Sequence, residues 1–369
     1  MARLLMQKHY VILALTLFIV PVSYAQKQTL TAEMVVSLKS VTAAAIDPSG
    51  QNAAYILATP RGADDETGVR FTELFVISTQ GGTAKQYTYR PYSVESPQWS
   101  PDGQWIYFIS RRKDINERRQ VYRIAAGGGE AQLISSSRSD VRLFKISPDG
   151  KRLAFTATDA ASESEKQNAK KGLDVRAVDK QFKPQRLYVQ SIETGETACV
   201  SGDLSVWNFD WSPDGKQIVF AASLTPQIDD SYMFKKIYVV PRTAQTPAKI
   251  LTETTGKLGA LAWSPDGKSI LFLGGVDETD PAAGSIFVVS SAGGSAKNLT
   301  DNFEGTVLWA EWIDNATLAF SAVERSHTTL NTLPSAGGAV KRSIGSGYNF
   351  TAASISADGK KYVMTAGAF

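Results

Sequence analysis

The stretch WSPDGKQIVF (211–220) reads as the tip of a β-hairpin and the strand that follows it. Pro213 presets the backbone at the second turn position, Asp214 hydrogen-bonds nearby amides, and Gly215 takes the left-handed conformation that ends the turn. The same phrase recurs as WSPDGQWIYF (99–108), ISPDGKRLAF (146–155) and WSPDGKSILF (263–272), and more loosely as IDPSGQNAAY (46–55) and ISADGKKYVM (355–364). The turn glycines, Gly50, Gly103, Gly150, Gly215, Gly267 and Gly359, stand 53, 47, 65, 52 and 92 residues apart. The last interval is two periods, and EWIDNATLAF (311–320), with Asn315 in place of the glycine, sits in its middle. Strand-built self-similarity at this period predicts an all-β fold, a β-propeller of about seven four-stranded blades.

A second hairpin recurs after each turn motif. It reads TELFVISTQGGTAKQYT (72–88), QVYRIAAGGGEAQLIS (120–135), QRLYVQSIETGETACVS (185–201), KIYVVPRTAQTPAKILT (236–252) and, less regularly, TLNTLPSAGGAVKRSI (329–344). In the copy starting at Leu261, Ile270 and Phe272 alternate with Ser269 and Leu271, a period-two strand pattern. Ser285–Ser290 and Ala296–Thr300 then supply the third and fourth strands. The recurring Trp and Phe positions are expected to pack between adjacent blades, because a single blade cannot bury both of its faces.

The first 25 residues read as a secretory signal. Arg3 and Lys8 precede the apolar run Val11–Val20, Pro21 breaks it, and Ser23 and Ala25 have the spacing that signal peptidase needs for a cut after Ala25. The expected organisation is therefore a signal peptide at 1–25 and a propeller at 26–369, secreted or periplasmic, with no later membrane span. The full chain carries a net charge of +3, and losing Arg3 and Lys8 brings it close to neutral, which excludes nucleic acid as an expected partner. Cys199 stands alone outside the signal, so no intrachain disulfide is expected. The seventh copy has its first hairpin, within Ala353–Gly367, but no second one, so the last blade is expected to be incomplete and the chain truncated. The alternative is that Leu30–Val41 returns to complete that blade.

Chemistry-bearing residues are few. Beyond the signal the chain has one histidine, His327, which is expected in the loop joining the hairpins of blade six. A lone histidine with no cysteine partner builds no zinc site. No Gly-x-Ser-x-Gly elbow marks a serine nucleophile, so no catalytic residue is expected in this chain. The repeated Asp102, Asp149, Asp214 and Asp266 lack the alternating acidic ligands of a calcium loop and read as turn residues. Gly127-Gly128-Gly129 lacks the Lys-Ser/Thr ending of a phosphate loop and reads as a hairpin turn. No cofactor or metal is expected. The one irregular region is Thr158–Pro184. Within it, ASESEKQNAKKG (161–172) predicts a mobile polar loop, and Asp174, Arg176 and Asp179 are the candidate substrate-binding residues if the insert docks on something. Arg111, Arg112, Lys113, Arg118 and Arg119 form a basic cluster, read as a solvated face, with anion contact as the alternative.

With the register in hand, the chain resembles the propeller of the prolyl oligopeptidase family of serine peptidases, in particular the bacterial acylaminoacyl-peptidase and dipeptidyl-aminopeptidase type. The resemblance covers almost all of the expected mature chain. It rests on LTAEMVVSLKSVTAAAIDPSGQNAAYIL (30–57), on the WSPDGK-x-I-x-F repeats, and on KGLDVRAVDKQFKPQRLYVQSIETGE (171–196). It implies a gating propeller ahead of a C-terminal α/β-hydrolase domain that carries a Ser-His-Asp triad and hydrolyses short peptides. That domain is absent from this sequence, and none of its catalytic residues is carried over. The competing reading is a non-enzymatic periplasmic interaction module, like the propeller protein of the Tol system. Against it, the first repeat begins soon after the cleavage site, where the Tol protein has an α/β domain. A third reading, an enzyme with its active site in the channel, is opposed by the scarcity of histidine and by the lack of an evident acidic cluster.

Overall fold

A computed structural model describes residues 31–112, 118–173, 182–243, 247–345 and 348–368. The expected signal peptide lies outside the described residues. The described residues 31–38 belong to a unit of their own, in which Thr31 caps the short helix Ala32–Ser37 by accepting a hydrogen bond from the Met34 N–H at 3.2 Å.

From Lys39 onward the chain is a β-propeller of seven antiparallel sheets; among the described residues six have four strands and the last has two. The inner strands, in blade order, are Ser40–Ile46, Val94–Trp99, Val141–Ile146, Ser205–Trp211, Leu258–Trp263, Thr306–Trp312 and Tyr348–Ile355. Each continues through the turn motif into the second strand of its blade.

The turn chemistry is repeated from blade to blade. In blade four the Ser212 hydroxyl donates to Asp214 Oδ1 at 2.7 Å, the Lys216 N–H donates to that same oxygen at 3.0 Å, and the Gln217 N–H donates to Ser212 Oγ at 2.9 Å. Ser100/Asp102, Ser147/Asp149, Ser264/Asp266 and Ser356/Asp358 make the same set. The Ser212 hydroxyl and the Lys216 amide hold the Asp214 carboxyl below its usual range. Gly215 closes the turn at φ 64°, in the left-handed region.

The turns also touch one another around one face of the ring. A Cβ on Gly103, Gly215 or Gly267 would lie 3.7–3.8 Å from Pro48, Pro148 or Pro213 of the preceding blade. Asn315, the residue replacing glycine in blade six, accepts from the Asp266 N–H at 2.9 Å. The contacts continue from blade seven to blade one. The Ala357 N–H donates to Pro48 O at 3.1 Å, Lys361 Nζ donates to Gly50 O at 2.8 Å, and the Ile46 N–H donates to Ser354 Oγ at 3.2 Å. The ring thus closes by side-to-side packing. Residues 32–37 are helical and Ser40–Ile46 belongs to the first sheet, so among the described residues no N-terminal strand is seen completing blade seven.

Between the blades lie apolar clusters, each shared by two neighbours. One joins Ala154 and Leu187 of blade three to Phe209, Trp211, Ile218 and Phe220 of blade four. The other clusters link blades one and two, two and three, four and five, and five and six. The Trp indoles bridge blades as well: Trp99, Trp211 and Trp312 donate to the carbonyls of Ala45, Lys145 and Ala262 on the preceding inner strands, at 3.0, 3.3 and 3.3 Å. The expected alternation in the second strand does not hold. Ile270, Leu271, Phe272 and Leu273 are all buried, because this strand is covered by a blade on each face.

The polar insert also departs from expectation. Residues 161–172 contain the helix Glu163–Lys170, started by a reciprocal cap in which Ser162 Oγ accepts from the Glu165 N–H and Glu165 accepts from the Ser162 N–H. Lys183 pins it through Glu165 Oε2 at 2.8 Å. His327 opens the third strand of blade six and pairs with Glu324, leaving only a two-residue turn where a joining loop was expected.

Gly215→Val should lower stability by about 1–3 kcal/mol, because a β-branched residue is forced to a positive φ while the space beside Pro148 stays open. Urea unfolding checks this; an unchanged midpoint contradicts it.

Candidate functional site: a charged belt in the channel

In every repeat, one residue stands on the inner strand immediately before the Trp or Ile that leads into the turn. Read around the ring, these residues are Ala45, Gln98, Lys145, Asp210, Ala262, Glu311 and Ser354. Four of them tie their inner strand to a neighbouring one. Gln98 Nε2 donates to Phe144 O at 2.8 Å, Lys145 Nζ pairs with Asp210 Oδ1 at 2.8 Å, Asp210 Oδ2 accepts the Trp263 N–H at 2.9 Å, and Ser354 Oγ accepts from blade one.

Three members are charged: Lys145 and Asp210 pair between adjacent blades three and four, and Glu311 stands in blade six. Lys145 is in blade three and Glu311 in blade six, so their mutual influence runs across the channel. Asp210 has both carboxylate oxygens engaged. Glu311 has only the Trp312 N–H, at 3.3 Å, and no salt-bridge partner among the described residues. Burial pushes the Glu311 carboxyl up to about 7, opposed by Lys145 and reinforced by the like charge of Asp210. For Lys145, burial acts to lower the pKa, but the carboxylates of Asp210 and Glu311 outweigh it and hold the ammonium above its ordinary value. The belt is thus an ion pair beside a carboxyl group poised to exchange a proton near neutrality.

The belt contains neither histidine nor cysteine, and among the described residues no cluster of three or more His, Cys, Asp or Glu side chains is arranged to hold a metal ion. The residues singled out from sequence fall elsewhere. Asp174, Arg176 and Asp179 lie outside the described residues, as does Lys113. The basic cluster is not simply a solvated face: Arg111 pairs with Asp140 at 3.0 Å, Arg119 with Glu95 at 2.6 Å, Arg118 donates to Arg138 O, and Arg112 lies 5.1 and 4.9 Å from the ring centres of Tyr92 and Tyr122. Lys145, Asp210 and Glu311 escaped sequence reasoning because no two share a repeat. Their common register, one residue before the Trp or Ile of the turn motif, is the signal that finds them.

The ring of seven sheets and its polar channel define a propeller domain. Residues 22–229 match the family described as the Lipoprotein LpqB beta-propeller domain, and the chain belongs to that family. It is 27% identical over 229 residues to the "Uncharacterized peptidase YuxL" of Bacillus subtilis, covering 58% of this chain and 34% of that protein. It is 24% identical over 328 residues to "Dipeptidyl-peptidase 5" of Porphyromonas gingivalis, covering 82% of this chain and 47% of that one. Among solved structures, the acylaminoacyl peptidase of Pyrococcus horikoshii superposes with a TM-score of 0.65 at 14% identity, over 90% of this chain and 50% of that one. The chain spans about half the length of these relatives or less. No described helix is long and apolar enough to cross a membrane.

The raised Glu311 pKa sets a pH dependence. The folded state holds this proton more tightly than the unfolded chain, so the stability that protonation contributes is lost as pH rises through about 7. Glu311→Gln removes that loss. Its melting temperature should exceed that of the wild type at about pH 8, with the gap shrinking towards about pH 5. A gap that does not change with pH contradicts the placement of Glu311 in the belt.

Proposed function

We propose that this chain is the substrate-gating propeller of a secreted serine peptidase that hydrolyses short peptides. The chemistry is done by a Ser-His-Asp triad on an α/β-hydrolase domain joined to it. The observation that carries the reading is the extent of the likeness to the dipeptidyl-peptidase, which runs through 82% of this chain but only 47% of the relative.

Strand direction fits the arrangement. Every inner strand runs towards the ring of turns and every second strand runs away from it. Ser40, where blade one begins, and Ala368, where the last strand ends, therefore lie at the face opposite the turns. A domain joined at either end meets the channel mouth on that face. The channel then admits a chain narrow enough to pass the belt and excludes folded protein. A start at Gln26, after cleavage of the signal, places the protein in the periplasm or outside the cell.

The test is the product of the complete gene, assayed on peptidyl p-nitroanilides beside residues 26–369 alone. Turnover and fluorophosphonate labelling are expected of the full product only, and N-terminal sequencing of exported protein should begin at Gln26. Turnover by residues 26–369 alone, or none by the full product, contradicts the reading.

A further inference from the structure

Charge is sorted around the face opposite the turns, where second strands end and inner strands begin. The connections from second to third strand in blades four (224–235) and five (275–284) hold five acidic residues and one lysine. At blades two and three the same face carries arginine. Arg111 ends the second strand of blade two, Arg112 and Arg118 follow, and Arg119 opens its third strand. Arg138 lies on the connector into blade three, and Arg142 is the second residue of that blade's inner strand, at the channel mouth.

These side chains are drawn together. Asp140 joins two of them, pairing with Arg111 at 3.0 Å and accepting the Arg119 N–H at 2.8 Å. Arg119 reaches Glu95, on the inner strand of blade two, at 2.6 Å, and Arg118 donates to Arg138 O at 2.8 Å. Arg112 lies over the rings of Tyr92 and Tyr122. Six guanidinium groups thus meet two carboxylates. The sequence between them, 113–117, adds Lys113, Asp114 and Glu117, which leaves the excess of cations in place.

The forks are not filled. Arg138 and Arg142 are exposed and have no acidic partner among the described residues. Arg112 and Arg119 each bury an Nε–H that has no acceptor there. Beside Arg138 runs a groove of about 500 Å³ along blade three, and its one carboxylate, Asp159, is held by Arg186 at 3.0 and 3.1 Å.

We propose that this arginine rim is a docking site for an acidic stretch of extended peptide, its Asp or Glu carboxylates accepting from Arg138 and Arg142 at the mouth of the channel. A guanidinium fork matches a carboxylate in shape, and Asp140 and Glu95 are carboxylates that this cluster already holds. The excess of cations draws an anionic chain to blades two and three, while the acidic connections of blades four and five repel it, so its position on the rim is set. The docking needs no hydrolysis and does not rest on the peptidase reading.

Isothermal titration calorimetry on the whole chain tests this, with acetyl-tetraglutamyl-amide as probe and the matching tetraglutaminyl peptide as control. We expect the glutamyl peptide to bind, the glutaminyl one not to, and the affinity to fall as salt rises from about 50 to about 300 mM. Arg138→Ser combined with Arg142→Ser should weaken binding about tenfold, since two exposed pairs are lost. It should leave the melting temperature unchanged, because neither guanidinium is paired within the described chain. Arg142→Gln alone should weaken binding about threefold and decides the matter if the double variant does not fold. Lys268→Ser, on a turn at the opposite face, should leave the Kd unchanged. The proposal is overturned by no binding of the glutamyl peptide, by equal binding of both peptides, or by an unchanged Kd in a folded arginine variant. An equal loss in Lys268→Ser, or tighter binding of inorganic phosphate or of single-stranded oligothymidylate than of the peptide, overturns it as well.

Discussion

The architecture depends on one small device, a serine hydroxyl that donates to an aspartate and accepts from one backbone amide at the tip of five of the seven inner hairpins. Ser212 donates to Asp214 while accepting from Gln217, so one buried hydroxyl joins the turn to the start of the second strand. The device reverses the chain within four residues and sets the second strand antiparallel to the first. In blades two to five it also makes the turn a compact block with proline on one side and glycine on the other. At three junctions proline of one blade then faces glycine of the next, Pro48 with Gly103, Pro148 with Gly215 and Pro213 with Gly267, and the repeat in the sequence becomes a repeat in space.

Closure follows from the same geometry. Blade seven reaches blade one through the contacts that neighbouring blades use elsewhere: a turn against a turn, at Ala357 and Pro48, and an inner-strand side chain against an inner-strand amide, at Ser354 and Ile46. Lys361 adds a bond of its own to Gly50 O. Among the described residues no strand is exchanged between the first and last sheets. The apolar clusters between blades provide the bulk of the cohesion, since second-strand residues such as Phe220, Ile270 and Phe320 are buried in clusters shared with a neighbouring blade. The belt at the inner rim contributes specificity more than stability: an ion pair and a neighbouring carboxyl in a half-buried setting gain little from pairing once desolvation is counted.

Much of the fold was legible in the sequence because it is local. The turn residues, the strand pairs and the blade count all lie within one period of the chain, and the turn glycines adopt the positive φ that the motif requires. Two kinds of feature were not legible. The belt joins Lys145, Asp210 and Glu311 from three repeats, and only the closed ring brings them together. The helix Glu163–Lys170 was masked by a polar composition typical of loops, although the Ser162/Glu165 cap was there to be read. The period-two pattern misled at Ile270–Leu273 because a strand covered on both faces has no polar side to alternate with.

The central claim, that the ring is closed by packing alone between blades one and seven, is tested most directly by native-state hydrogen exchange on this chain. The account predicts that inner-strand amides of blade one (Ser40–Ile46) and blade seven (Tyr348–Ile355) are protected to a degree comparable with blade four (Ser205–Trp211) and open with it as one unit. Fast exchange confined to blades one and seven, with blades two to six still protected, would mean an open ring and would contradict the account.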